Sequence, residues 1–430
     1  MINLLQNIDT ICAIMSIILL VVGVFLSCYI KFPQLKNFKN FLQIIKSKKA
    51  TESTTNTMSP VQALSTAIST SLGIGSMAGV PLAITIGGPG ALFWIVAYAF
   101  FGSVTKFIEV VFAVKYRSRA ADGSIIGGPT SYLMQVHPVL AYWYGGLTLI
   151  LFAAWSGMQA KTIAEIYARV GVPEYMTGLT ISIFTLYMLI GGAKKIGKFS
   201  TILVPSMCTL YLLASLFILL QDIPLLGEVF ILVITKAFTP TAASGGFIGA
   251  SAMIGIRQGI LKSAFITEAG IGTAAIPHAM ADTNSPINQG ILAMYSVVID
   301  TFFCLISGFV VLVTGVWQSG VTSNTLIYDA FEIGLPQIGP MILFVIITLF
   351  AIGTTLGNSF NGSKSFGFFT NNKYLTYYYI FVAIMITLGS IVDTSTLWSA
   401  MELILPLTAL PNLIGIVYLV IKDRKEFIQE

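Results

Sequence analysis

The chain reads as an all-α, polytopic membrane protein, and three observations predict this. Of its 430 residues, 56% are hydrophobic and only 10% are charged, whereas soluble domains carry about 25% charged residues. Uncharged windows recur, for example Val139–Gln159 and Met341–Ser363, each long enough to cross a hydrocarbon layer of roughly 30 Å as a helix. Lysine and arginine, finally, are concentrated in alternate connecting segments, which is how topology is written into a membrane protein.

Taken in order, the apolar runs predict about eleven spans, near residues 9–30, 60–85, 91–114, 138–160, 176–193, 201–221, 241–265, 287–316, 339–361, 374–393 and 397–421. A short apolar segment at 225–236 is expected to lie on the membrane surface or to re-enter it. The first run, Ile11–Ile30, has Asp9 where a cleaved signal would carry positive charge, so it is read as a retained helix. Cys12, Cys28, Cys208 and Cys304 all fall in apolar runs, which argues against a disulfide scaffold. The formal charge of +5 is a topology signal and not a nucleic-acid surface.

Lys31, Lys36, Lys39, Lys46, Lys48 and Lys49 follow the first span. Lys115, Arg117 and Arg119 follow the third, Lys194, Lys195 and Lys198 the fifth, and Lys422, Arg424 and Lys425 close the chain. The intervening loops are poorer in basic residues. The basic loops are therefore expected in the cytoplasm, with the amino terminus outside, the carboxyl terminus inside and an odd number of spans.

Two spans are interrupted. The second contains Ser69–Pro81, STSLGIGSMAGVP, and the seventh contains Ala243–Gly255, ASGGFIGASAMIG. With the first span set aside, these open two successive groups of five, which would run in opposite directions through the membrane. Paired glycine interruptions at matching places point to the substrate site of a secondary transporter. Lipid supplies no hydrogen bonds, so unwound backbone persists only against protein, water or a ligand. A broken helix offers carbonyls to a cation and amides to a carboxylate. The bland alternative for either motif is a small-residue surface for helix packing.

The chain resembles the alanine/glycine:cation symporter family. The residues that carry the resemblance run from Met58-Ser-Pro-Val-Gln-Ala-Leu64 through LGIGSMAGVP, Ile86–Trp94, Thr105–Glu109, Val114–Arg117, Asp122–Pro129, Gly191–Ile196, Val204-Pro205 and Ser244–Ala250. They continue through Ile256–Gly259, Thr267-Glu-Ala-Gly-Ile-Gly-Thr273 and Ile299-Asp-Thr301 to Pro411-Asn412. The resemblance implies a LeuT-type fold of two inverted five-helix repeats with one additional amino-terminal helix. The segments would be 1–57 (peripheral helix and basic loop), 58–222 and 223–421 (the repeats), and 422–430 (a cytoplasmic tail). It also implies a non-enzymatic protein without cofactor that carries a small neutral amino acid with sodium across a bacterial inner or plasma membrane.

Carried over by pattern, the sodium ligands would be the carbonyls of Ser69, Leu72 and Ala351 and the hydroxyls of Thr354 and Thr355. The substrate would meet Gly73, Ile74, Gly75 and Ser76 at the first break and Gly245, Gly246 and Phe247 at the second, with Gln159 and Asn358 beside them. Five neutral oxygens suit a hard monovalent cation. For the threonines, the alternative is back-bonding to their own helix. The chain departs from the family pattern at three places: Ile74-Gly75-Ser76 stands for Thr-Gly-Asn, Asn358 for Trp, and Ser156 for Asn. These changes predict a roomier, more polar pocket, open to glutamine or serine as well as to alanine and glycine.

Lys106 with Glu109, and Arg257 with Glu268, are charges near membrane depth, expected to pair structurally or to gate the inner face. No carboxylate stands beside either break in the sequence, which favours sodium over a proton-coupled carrier or channel-like facilitator. An intramembrane enzyme would need a nucleophile–base pair or metal ligands, which His137 and His278, far apart in sequence, do not supply.

Overall fold

The computed structural model describes residues 2–46, 57–73, 75–119, 124–238, 250–321 and 326–427. The chain is mostly helical. A long helix, α1 (Ile2–Tyr29), is followed by short α2 (Pro33–Lys36), amphipathic α3 (Phe38–Lys46), α4 (Pro60–Ser71), α5 (Val80–Gly87) and α6 (Ala91–Lys115). Then come α7 (Pro129–Leu133), α8 (Pro138–Ala168), α9 (Glu174–Ile190), α10 (Gly192–Leu219), α11 (Ile223–Phe238) and α12 (Ala250–Thr267). The remainder is α13 (Ala275–Ala279), α14 (Pro286–Val313), α15 (Leu326–Gly334), α16 (Gly339–Thr370), α17 (Leu375–Gly389) and α18 (Thr394–Lys422). The β structure among the described residues is a two-strand antiparallel pair, in which Ser118 faces Ile126 and Arg119 faces Ile125, and an isolated parallel bridge between Met58 and Ala281.

Seven of these helices are long and apolar enough to cross a membrane, and the pair Pro60–Ser71 and Gly75–Gly87, bent by 42°, makes an eighth if counted as one span. Shorter apolar α9 and α17 lie at two further expected positions. Several helices outrun the expected spans. α10 begins at Gly192 and takes in Lys194, Lys195 and Lys198, because a helix need not stop where the hydrocarbon does. α8 likewise continues to Ala168, and its Lys161 pairs with Glu174 at 2.8 Å. The apolar segment at 225–236 forms most of α11.

The start of α4 shows why the Met58-Ser-Pro-Val-Gln motif is built as it is. Ser59 Oγ accepts from the Gln62 amide and Gln62 Oε1 accepts from the Ser59 amide, a capping box with Pro60 at the first helical position, so orphan amides are satisfied at the helix start. Met58 is meanwhile bridged to the α13 region: its amide donates to Met280 O at 3.0 Å, and its carbonyl accepts from the Asp282 amide at 2.7 Å. Arg117 closes the same end by donating to the carbonyls of Ala279, Ala281 and Thr283.

Candidate functional site

Helix α4 ends at a specific backbone feature. The Leu72 amide still donates to Ile68 O at 2.8 Å, but the Gly73 amide turns back to Ser71 O at 2.9 Å. Leu72, with φ −76° and ψ 72°, therefore centres an inverse γ-turn. Beyond it Ser76 donates to Gly73 O through both its amide, at 3.3 Å, and its hydroxyl, at 2.8 Å. A π-helical turn, Gly75–Gly79, leads into α5; such turns are frequent at functional sites. The interruption read from STSLGIGSMAGVP is thus a real unwinding, with Ile74 itself outside the described residues.

Across from this break lies α16. Thr354 Oγ1 donates to Ser69 O at 3.1 Å, an interhelical bond in place of the intrahelical back-bond. Thr355 Oγ1 and Ser69 Oγ are buried and meet no hydrogen-bond partner in the protein. Ser69, Leu72, Ala351, Thr354 and Thr355 are all buried. The approach depends on glycine: a Cβ at Gly73 would sit 2.2 Å from Thr354 Oγ1, and one at Gly357 would sit 2.1 Å from Thr70 Oγ1. The structure thus brings Thr354 to the break and leaves the neighbouring Thr355 hydroxyl unbonded in the protein interior. An unpaired buried hydroxyl costs about 1–3 kcal/mol, a cost that a monovalent cation coordinated there would remove.

One turn further along α16 is Asn358, fully buried, with neither Oδ1 nor Nδ2 hydrogen-bonded within the protein. Asn361 is in the same condition, and the sequence reading missed it although it stands three residues after Asn358. Gln159 on α8 is also fully buried, and its helix meets α16 where Ser156 Oγ and Ser359 Oγ stand 3.4 Å apart. An aromatic wall completes this side: Phe265 of α12 lies 4.5 Å from the Trp155 ring and 5.4 Å from the Trp398 ring, centroid to centroid. A Cβ on Gly75 would meet the Phe265 ring at 3.1 Å. Trp155 and Phe265 were not singled out from sequence, where buried aromatics look like ordinary core. Gly245, Gly246 and Phe247 lie outside the described residues.

The buried charges are paired differently from the sequence expectation. Lys106 forms its ion pair with Asp300 of α14 at 3.6 Å and donates to Thr267 O at 2.9 Å, while Glu109 accepts from Asn412 Nδ2 at 2.6 Å. Arg257 sits some ten helical residues before Glu268, roughly 15 Å along α12, too far for a direct pair. The supposed absence of a carboxylate beside the first break is also overturned. Asp300 Oδ1 accepts from Ser71 Oγ at 2.9 Å, at the last residue of α4. The sequence reading missed Asp300; a lone acid in an apolar run is the signal that could have found it, since a charge at membrane depth is expensive and functional by default. The motif Thr267–Thr273 is an unwound, buried strap with positive φ at Glu268 (57°), Gly270 (84°) and Gly272 (90°). Its carbonyls are captured by side chains: Thr267 O by Lys106, Ala269 O by Tyr98 at 2.8 Å and Gly270 O by Asn412 at 2.9 Å.

A multi-span helical protein with a broken helix, a buried hydroxyl–carbonyl cluster and unpaired amide side chains beside it belongs to the class of membrane transporters. The chain belongs to the sodium:alanine symporter family, whose profile matches residues 1–428; this is a family of transporters and not of enzymes. It is 32% identical over 431 residues to the sodium/alanine symporter AgcS of Methanococcus maripaludis, covering 96% of this chain and 94% of that protein. It is 28% identical to the probable sodium/glutamine symporter GlnT of Bacillus subtilis, covering 94% and 84%. Among solved structures it is similar to a Na+-coupled sialic acid symporter in a substrate-bound outward-open state, with TM-score 0.53, 11% identity and coverage of 97% and 83%. That likeness concerns the fold.

Proposed function

We propose that the protein carries a small neutral amino acid into the cell together with sodium. The ion would be held between α4 and α16 by the carbonyls of Ser69, Leu72 and Ala351 and the hydroxyls of Thr354 and Thr355. The observation that carries this reading is the meeting of Thr354 with Ser69 O beside the unbonded Thr355 hydroxyl, at the end of a helix whose backbone unwinds. The substrate would lie against Gly73–Ser76, with Gln159 and Asn358 supplying polar contacts and Gly245–Phe247 facing it. The architecture that fits is a 5+5 inverted repeat, 58–222 and 223–421, preceded by α1, with about eleven spans, an external amino terminus and a cytoplasmic carboxyl terminus.

Asn358 bears on the substrate. Its amide is fully buried with both polar atoms unpaired in the protein, and a buried amide offers two donors and two acceptor lone pairs. A side chain that is itself an amide or a hydroxyl, as in glutamine or serine, can satisfy it; a methyl group cannot. The reading is therefore sodium-coupled uptake with glutamine and serine accepted beside alanine and glycine. Uptake of a panel of radiolabelled neutral amino acids into proteoliposomes, with and without an inward sodium gradient, tests it. Accumulation must follow the gradient, and Asn358→Trp must shift preference toward the smaller substrates. Equal uptake without sodium would favour a facilitator, and an unchanged substrate profile in Asn358→Trp would remove the specificity argument.

A further inference from the structure

We infer that Lys106 and Asp300 are positioning residues for the cation site: their buried ion pair, acting through Ser71, fixes the turn that aims the α4 carbonyls. The inference rests on the sodium reading above and assigns a role to charges that reading does not use.

The chain of contacts is short. Asp300 Oδ1 accepts from Ser71 Oγ at 2.9 Å, Asp300 Oδ2 lies 3.6 Å from Lys106 Nζ, and Lys106 Nζ donates to Thr267 O at 2.9 Å. Ser71 is also the residue whose carbonyl accepts the Gly73 amide at 2.9 Å and so closes the inverse γ-turn on Leu72. Two of the three carbonyls assigned to the ion, those of Ser69 and Leu72, flank this serine. A hydroxyl held by a carboxylate is held by a charge-assisted bond, shorter and roughly twice as strong as a neutral one. Asp300 therefore pins the last residue of α4 in the conformation from which the helix unwinds. Lys106 and Asp300 are both fully buried, so neither charge is tolerable without the other. Because Lys106 also holds the first carbonyl of the unwound 267–273 strap, the same ammonium ties the α4 break to the end of α12.

A salt bridge serving stability alone would not need the serine, and Ser71→Ala separates the two cases because it breaks the link without stranding a charge. The experiment is a sodium titration of amino-acid uptake in proteoliposomes, with the melting temperature of each purified variant measured alongside. Ser71→Ala is expected to raise the half-saturating sodium concentration about 5- to 10-fold with little change in melting temperature, and Asp300→Asn to raise it further. Should Asp300→Asn fail to fold, the double variant Lys106→Met/Asp300→Asn, which leaves neither charge, replaces it and must show the same rise. Lys106→Arg keeps the cation and should restore most of the sodium affinity lost in Lys106→Met. Folded Ser71→Ala and double variants with wild-type half-saturating sodium would overturn the inference. A wild-type protein indifferent to sodium would instead overturn the proposed function.

Discussion

Replacing Thr354 by valine removes one oxygen and keeps the shape of the side chain. In the structure that oxygen donates to Ser69 O at 3.1 Å and is buried. Losing a neutral hydrogen bond costs about 1 kcal/mol of stability, small against a total of roughly 5–15 kcal/mol, so the variant should fold. In the sodium site proposed here the same oxygen would face a charge, and an interaction of that kind is worth about 1.5–3 kcal/mol. At about 1.4 kcal/mol per factor of ten, the half-saturating sodium concentration should rise roughly 10- to 100-fold. The assay is initial uptake rate against sodium at saturating amino acid, with choline replacing sodium. A Thr354→Val protein with the wild-type sodium curve would show that this hydroxyl does not ligate the ion, and the site between α4 and α16 would have to be abandoned.

Other outcomes follow from the same geometry. Gly73→Ala should abolish uptake while Gly192→Ala, a strained-turn change distant from the break, should not: only the Gly73 Cβ meets Thr354 Oγ1, at 2.2 Å. Phe265→Leu should raise the half-saturating amino-acid concentration several-fold with sodium affinity largely kept, since it removes the ring packed on Trp155 and Gly75; uptake titrations in both ligands check this. At the end of α18, burial opposes ionisation of Asp423, but hydrogen bonds from Lys115 (2.9 Å) and Tyr116 (2.8 Å) outweigh it and hold its carboxyl below the usual range. A lowered carboxylate pKa stabilises the fold above the unfolded-state value and loses that contribution as pH falls. Protease cleavage after Lys425 should therefore accelerate in acid for wild type and be fast at neutral pH in Asp423→Asn.

Much of this was legible in the sequence, for identifiable reasons. Backbone satisfaction in lipid is so strict that glycine clusters inside apolar runs announce a break, and STSLGIGSMAGVP became one at Leu72–Gly73. Thr354 and Thr355 were placed by pattern as cation ligands; the structure puts the Thr354 hydroxyl 3.1 Å from Ser69 O and leaves that of Thr355 without a protein partner, and their part in ion binding stays a proposal. The charge pairs were misread because sequence proximity suggests partners along one helix, Lys106 with Glu109. The partner of Lys106 is 194 positions away, Asp300 on α14, and only tertiary packing can reveal that. Trp155, Phe265 and Asn361 were missed for a related reason, since a buried aromatic or amide acquires meaning only from what faces it. Helices α8, α10 and α16 run beyond the expected spans because hydropathy reports the membrane's thickness, whereas helices stop at caps and turns.

The claim that sodium and a neutral amino acid move together is tested most directly in the reverse sense. Proteoliposomes given equal sodium on both sides and an inward gradient of a transported neutral amino acid should accumulate radiolabelled sodium, and Thr354→Val should not do so at the same concentration. Amino-acid entry with no net movement of sodium would contradict coupling at the α4–α16 site.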